Sequence, residues 1–197
     1  VKSTEGKKID VIIGGPPCQG FSLTGKRNEN DERNTLFNAM FRLAKKVNPK
    51  AIIIENVPGL LKLYNGKAKD EIIKLCEEYG YTCNPQLLFA PDYGVPQIRK
   101  RVFFVALRSD LGTFEFPDKI LDKDNYIGCK AAIDDLPDLE FDLGAQELKY
   151  NKKPLSDYQK MMRNGSKVIF NHVGTKHTDH VIDVISQVPE GGNHKDL

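Results

Sequence analysis

The sequence predicts an α/β fold in which most strands of the sheet run parallel and one runs antiparallel. Apolar runs at residues 9–13 and 51–55 are typical of short buried strands. Residues 33–47 between them carry apolar side chains at helical spacing, so these elements predict a parallel strand–helix–strand unit. Only a short turn separates the strands predicted at residues 81–89 and 101–107, so the last strand is expected to run antiparallel.

The two helices predicted in this region have recognisable ends. In the first, apolar residues recur every three or four positions, and Pro49 follows its end. The second is predicted over residues 67–79, with Gly80 as its stop and Cys76 on its apolar face. Both apolar faces are therefore expected to pack in the core.

The composition changes after Pro117. Residues 121–146 are acidic and rich in turn-forming residues, with a short helix near residues 131–136. Two more helices are predicted over residues 154–163 and 178–188. We therefore expect a second part of the chain with a different organisation.

The overall composition argues against several classes of protein. The formal net charge of +2 neither requires nor excludes a nucleic-acid partner. Four cysteines lack the close paired spacing of a zinc site or a disulfide scaffold, and His172, His177 and His180 do not complete a ligand set, so no metal is expected. No apolar run approaches the roughly 20 residues that span a bilayer. A reduced, cytoplasmic setting without membrane attachment fits best.

A cysteine follows the first strand on a stiff loop. Residues 14–22 read Gly-Gly-Pro-Pro-Cys-Gln-Gly-Phe-Ser, and the prolines restrict the backbone before Cys18. A positioned thiol can act as a nucleophile, although most free cysteines are buried and inert. Glu55 ends the second strand, and Arg99 and Arg101 begin the antiparallel one. Since these positions share one edge of the sheet, the four side chains are expected to converge.

Three short strings in this region occur in a characteristic order. They are Pro-Pro-Cys-Gln at residues 16–19, Glu-Asn-Val at residues 55–57 and Gln-Ile-Arg-Lys-Arg at residues 97–101. Over residues 9–108 the chain thus resembles the cytosine-5 DNA methyltransferases. The resemblance implies a Rossmann-like, S-adenosylmethionine-dependent methyltransferase fold, of which this chain holds a part.

The resemblance also implies a domain organisation. Residues 1–117 correspond to the catalytic half of the methyltransferase core, and residues 118–197 to the connection into, and start of, a target-recognition domain. The glycine-rich cofactor loop that opens such enzymes and the Gly-Asn segment that closes them are not found in this sequence. We therefore expect an internal piece of a longer enzyme that is inactive by itself.

The resemblance implies a role for each of the four converging residues. Cys18 is the nucleophile that adds to carbon 6 of a cytosine flipped out of the duplex, and carbon 5 then takes the methyl group. Glu55 holds ring nitrogen 3 and the exocyclic amine of the base. Of Arg99 and Arg101, one holds the base carbonyl and the other orients Glu55 or binds a phosphate.

Further residues are implied around this group. Pro17 and Leu36 are expected to contact the cofactor. Polar residues of the cysteine loop are candidate DNA contacts, namely Gln19, Ser22 and Lys26. The polar segment over residues 24–31 is expected to close over DNA as a flap.

The implied substrate is double-stranded DNA, and the implied setting is a bacterial restriction–modification system, with a cognate restriction endonuclease related by function only. Two alternatives remain open. One is an RNA cytosine-5 methyltransferase with the same catalytic loop, and the other is a non-catalytic DNA-binding subunit of a split methyltransferase. The intact set of Cys18, Glu55, Arg99 and Arg101 disfavours the second.

Overall fold

The computed structural model describes residues 6–16, 37–139 and 143–197. The chain divides into two units, Val1–Ile127 and Gly128–Leu197. The division falls further along the chain than the change of composition near Pro117. Within the parts that are described, no helix is long and apolar enough to cross a membrane.

The first unit contains a four-stranded sheet. Its strands are β1 (Val11–Gly14), β2 (Ala51–Asn56), β3 (Tyr81–Phe89) and β4 (Lys100–Arg108), in the spatial order β1-β2-β4-β3. β1 pairs parallel to β2, whereas β4 pairs antiparallel to both β2 and β3. Three strands therefore run in one direction and β4 in the other, which confirms the predicted mixture of directions.

Two helices supply the core that packs with the sheet. They are α1 (Phe37–Val47) and α2 (Lys67–Glu78), and both agree with the predicted helices over the residues that the structure describes. Gly80, with φ of 82°, adopts the left-handed conformation expected of a residue that stops a helix. The core combines residues from the helices and the strands, including Phe37, Phe41, Ile72, Cys76, Ile52, Ile54 and Phe104.

β2 shows why the core and the site separate onto opposite faces of the sheet. Successive side chains of a strand point to opposite faces. Ile52, Ile54 and Asn56 are buried, whereas Glu55 lies on the other face and is only partly buried. The alternation in sequence thus places one carboxylate outside the core near the end of a strand whose other face buries Ile52 and Ile54.

In the described residues of the second unit, five helices and strands accompany a short 3-10 turn at His194–Asp196. They are α3 (Cys129–Ile133), β5 (Gly144–Lys149), α4 (Asp157–Met162), β6 (Val168–Val173) and α5 (Asp179–Ser186). The three helices lie where helices were predicted. Ser156 accepts a hydrogen bond from the backbone N–H of Gln159 and so begins α4.

The antiparallel pair of β5 and β6 differs from the sequence-based expectation, which gave turns before residue 147 and no strand at β6. In register, Glu147 lies opposite Phe170 and Leu148 opposite Ile169. β5 reads Gly-Ala-Gln-Glu-Leu-Lys and lacks the β-branched and aromatic residues that mark strands in sequence. It is a strand because β6, which is rich in such residues, pairs with it.

Candidate active site

The carboxylate of Glu55 marks the edge where the parallel strands end. It belongs to the second-to-last residue of β2, and its side chain is 34% exposed. Gly15 directly follows β1, and a Cβ atom there would lie 3.2 Å from Oε2 of Glu55. The glycine therefore lets the chain that leaves β1 pass close beside this carboxylate.

Two arginines, one just before β4 and one within it, meet Glu55. Nε of Arg101 lies 2.8 Å from Oε1 of Glu55, and Nη2 of Arg99 lies 3.8 Å from the same oxygen. The register explains the contact, since Phe103 pairs with Glu55 and Arg101 lies two residues nearer the edge on the same face. The predicted convergence of these three side chains is confirmed.

The two arginines differ in how firmly they are held. Arg101 is 26% exposed, and its Nη1 also donates to the carbonyl oxygen of Lys100 at 2.8 Å. Arg99 is 47% exposed, and its contact with Glu55 is longer than a hydrogen bond. Arg101 therefore fixes the direction of the carboxylate, while Arg99 has more freedom to reach another anion.

Asn56 links the two strand ends. It is 6% exposed, its Nδ2 donates to the carbonyl oxygen of Pro16 at 2.9 Å, and its Oδ1 accepts from the backbone N–H of Val57 at 2.9 Å. The sequence indicated a role only in the loop after β2. The bond to Pro16 also holds the main chain just after β1, and no local pattern could have revealed a partner so distant in sequence.

The remaining predicted site residues lie outside the described residues, so their positions and roles stay predictions. They are Pro17, Cys18, Gln19, Ser22, Lys26 and Leu36, together with the flap predicted over residues 24–31.

Cys76 and His172, which belong to reactive residue types, make contacts that stabilise the fold. Cys76 is fully buried in the core, as predicted, and its hydrogen bond with Cys83 and its burial raise the pKa of its thiol, which keeps the thiol protonated and unreactive. Nε2 of His172 lies 2.8 Å from the carbonyl oxygen of Pro137. Across residues 6–16, 37–139 and 143–197, no group of three or more histidine, cysteine, aspartate or glutamate residues could hold a metal ion.

Comparison with known proteins gives consistent matches. The model of the family described as C-5 cytosine-specific DNA methylase matches residues 1–192. Type II methyltransferase M.DdeI from Desulfomicrobium norvegicum is 39% identical over 194 residues, which cover 95% of this chain and 46% of that protein. Type II methyltransferase M1.HphI from Haemophilus parahaemolyticus is 32% identical over 194 residues, which cover 97% of this chain and 45% of that protein.

A solved structure is also similar. It is the crystal structure of a proposed DNA modification methyltransferase encoded within a prophage (E. coli), with a TM-score of 0.65 and 25% identity. The similarity covers 92% of this chain and 56% of that one. The chain thus spans about half the length of the curated relatives that it matches.

Proposed function

Because the chain belongs to the C-5 cytosine-specific DNA methylase family, we propose that it carries the catalytic residues of a DNA (cytosine-5)-methyltransferase. The observation that carries this proposal is the pairing of Glu55 with Arg101 at the edge of the sheet where β1 and β2 end. An open α/β sheet binds its ligands at this edge. The loop toward Cys18 leaves β1 at the same edge, so thiol, carboxylate and guanidinium can act on one base.

The names of the relatives support a biological setting. Both compared relatives are Type II methyltransferases. We propose that the full-length protein methylates double-stranded DNA in the cytoplasm of a bacterium, as part of a restriction–modification system. A restriction endonuclease would share its target sequence without having to bind the methyltransferase.

The domain organisation follows from the same proposal. Residues 1–117 form the catalytic half, and residues 118–197 lead into a target-recognition domain. The separate set of contacts after Ile127 supports an organisation in two parts.

The residues around the edge fit S-adenosylmethionine as the methyl donor. Gly15, the first residue after β1, lies beside Glu55 at the edge of the sheet where ligands of this fold bind. We propose that the cofactor is contacted by Pro17 and by Leu36, the residue that precedes α1 in the sequence. When bound, S-adenosylmethionine supplies an electrophilic methyl group.

The proposed reaction begins at the thiol. The Cys18 thiolate donates an electron pair to carbon 6 of cytosine, and the ring electrons become available at carbon 5. Carbon 5 would then form the bond to the methyl group as the bond from that group to its sulfonium sulfur breaks and the electron pair stays on sulfur, which leaves as a neutral thioether. Loss of the proton on carbon 5 to water then returns electrons to the ring, the bond between carbon 6 and the cysteine sulfur breaks, and the thiolate leaves with its electron pair. Covalent addition thus divides one difficult step into easier ones.

Glu55 acts on the edge of the base opposite carbon 6, where the thiolate adds. As the thiolate adds, negative charge develops on the ring and reaches nitrogen 3. A carboxyl group that donates a proton or a hydrogen bond to nitrogen 3, and accepts one from the exocyclic amine, offsets this charge. The contact with Arg101 fixes the carboxyl group in one direction for that purpose.

Arg101 and Arg99 take different roles in this proposal. The carbonyl oxygen of cytosine is next to nitrogen 3, so the donor that binds it must lie beside Glu55. Arg101 lies there, and a guanidinium has five N–H donors, more than its contacts with Glu55 and Lys100 use. Arg99, more exposed, is placed to bind a phosphate.

The proposed function is tested by offering the full-length protein duplex DNA and transfer RNA in parallel. Tritium from the labelled methyl group of S-adenosylmethionine is expected in 5-methylcytosine of bacteriophage DNA and not in transfer RNA. The product is identified by chromatography of the hydrolysed nucleosides. Label in transfer RNA alone would favour the RNA methyltransferase, and DNA binding without label in either substrate would favour the non-catalytic subunit.

The division of roles between the arginines predicts two different defects. Arg101→Ala is expected to lower the single-turnover rate of methylation by roughly a hundredfold with little change in DNA affinity, because it removes a donor to the reacting base. Arg99→Ala is expected to weaken DNA binding and to reduce the slope of log affinity against log salt by about one, because it removes one phosphate contact. Rates and filter-binding titrations at several salt concentrations measure both effects.

Lys100→Ala is the matched control, since Lys100 lies between the two arginines but on the other face, over the ring of Phe89. Its rate of methylation is expected to stay close to that of the parent. The reverse pattern, with Arg99→Ala slow and Arg101→Ala weak in binding, would exchange the two assignments.

A further inference from the structure

The loop between β3 and β4 sets the position of Arg99. It begins with a single helical turn at Ala90–Tyr93 and closes where the backbone N–H of Ala90 donates to the carbonyl oxygen of Arg99 at 2.9 Å. Arg99 lies one residue before β4. Its backbone therefore follows the loop as well as the sheet, and whatever holds the loop also holds the first arginine of the site.

One buried carboxylate anchors this loop. The side chain of Asp92 is only 5% exposed, and its Oδ2 lies 2.8 Å from Nζ of Lys119. Its Oδ1 accepts a hydrogen bond from the hydroxyl group of Tyr126. These hydrogen bonds, first that of Lys119 and then that of Tyr126, lower the pKa of Asp92, so the carboxylate is charged at neutral pH. We call Asp92, Lys119 and Tyr126 the Asp92 clamp.

The main chain of Asp92 takes part in the same arrangement. Its carbonyl oxygen accepts from the backbone N–H groups of Ile120 and Leu121 at 2.9 Å and 3.1 Å. Tyr93, the next residue, donates from its hydroxyl group to the carbonyl oxygen of Pro117 at 3.3 Å. The loop is thus attached to the segment that ends the first unit through both side chains and backbone.

The clamp also reaches the base of the loop. The ring of Tyr126 meets the ring of Phe89 edge-on, with 5.8 Å between the centroids. Phe89 is the last residue of β3 and pairs with Lys100, which lies between the two arginines. Because strands pair through their backbones, a continuous set of contacts runs from Asp92 through Tyr126 and Phe89 to the main chain at the start of β4, without need of the Lys100 side chain.

We propose that Asp92 is a positioning residue for methyl transfer, which holds the loop of residues 90–99 so that Arg99 and Arg101 meet Glu55. The inference rests on the proposed function and extends it to a residue that contacts neither base nor cofactor. A buried carboxylate with two partners suits this task, because its removal would leave the Tyr126 hydroxyl group without the acceptor it has here. Asp92 acts through the arginines, not on the reacting atoms.

The test compares Asp92→Ala and Tyr126→Phe with Asp110→Ala in the full-length protein. Asp110 pairs with Arg108 at the opposite end of β4, so its replacement breaks an aspartate–arginine contact of the same unit far from the loop. Single-turnover methylation of bacteriophage DNA is measured per folded molecule, together with DNA affinity. Asp92→Ala is expected to lower the rate about tenfold and to weaken DNA binding less than Arg99→Ala does. Tyr126→Phe is expected to have smaller effects of both kinds, and Asp110→Ala to leave rate and affinity unchanged.

A double-mutant cycle separates positioning from general stability. If Asp92 acts through the arginines, Asp92→Ala is expected to have almost no further effect on the rate when Arg99 and Arg101 are already alanine. A purely structural role would instead reduce the folded fraction in both backgrounds and leave the rate per folded molecule unchanged. That result, or an equal loss of rate in both backgrounds, would overturn the proposal.

Hydrogen exchange tests the same proposal without reference to activity. Asp92→Ala is expected to speed backbone exchange over residues 94–101 and to leave α1 and α2 as protected as in the parent. Unchanged exchange over residues 94–101 would overturn the positioning role even if the parent protein transferred no methyl group. Absent methyl transfer with faster exchange would count against the proposed function alone.

Discussion

Replacing Cys18 with alanine is expected to abolish methyl transfer and covalent capture of DNA. The proposed reaction requires a carbon–sulfur bond, and alanine offers no nucleophile, so the rate should fall by roughly a thousandfold or more. Capture is measured with a phage-derived duplex in which 5-fluorocytosine replaces every cytosine, so that any target sequence is present. Fluorine on carbon 5 cannot leave as the proton does, and the adduct therefore persists on a denaturing gel.

The capture experiment has controls within the chain. Cys129 is exposed in the second unit, and Cys129→Ala is expected to form the adduct as fast as the parent. Adduct formation is expected only when S-adenosylmethionine is present. An adduct that survives Cys18→Ala would show that another group attacks the base, and the role of Cys18 would have to be abandoned while DNA methylation itself could stand.

The part of the fold that sequence predicted best is the part governed by local periodicity. The apolar runs of β1 and β2 and the helical spacing of α1 identify a parallel unit, because each pattern depends only on residues close in sequence. The directions of the strands then place Glu55, Arg99 and Arg101 at one edge. Alternation along β4 explains why both arginines, two residues apart, reach the same carboxylate.

The features that sequence did not predict all depend on contacts between distant residues. Asn56 reaches Pro16, Asp92 reaches Tyr126, and β5 becomes a strand only by pairing with β6. Asn56 and Asp92 do not stand out by residue type, because asparagine and aspartate are ordinary loop residues. What distinguishes Asn56 and Asp92 is burial, and the burial of a polar side chain is a property of the folded chain.

Glu55→Gln is expected to lower the single-turnover rate of methylation by about a hundred- to ten-thousandfold. Glutamine has nearly the same shape, and its amide oxygen can still accept from Arg101. It has no proton to give to nitrogen 3, so the charge that develops on the ring is no longer neutralised. The rate is measured at saturating DNA and S-adenosylmethionine, and DNA affinity is measured separately and is expected to change little.

Two controls, the free energy of unfolding and a matched variant, decide whether the loss of methylation rate in Glu55→Gln comes from the chemical step. The contact between Glu55 and Arg101 is partly exposed to water, so its loss should change the free energy of unfolding by no more than about 1 kcal/mol. Glu78→Gln removes a comparable exposed carboxylate from α2, where Glu78 pairs with Lys74, and is expected to leave the rate unchanged. A Glu55→Gln rate within tenfold of the parent would mean that the Glu55 carboxyl group does not donate a proton to nitrogen 3 of cytosine. A slow rate with unfolding like that of the parent would place the loss in the chemistry on cytosine, because both the fold and the hydrogen bond to Arg101 can survive this substitution.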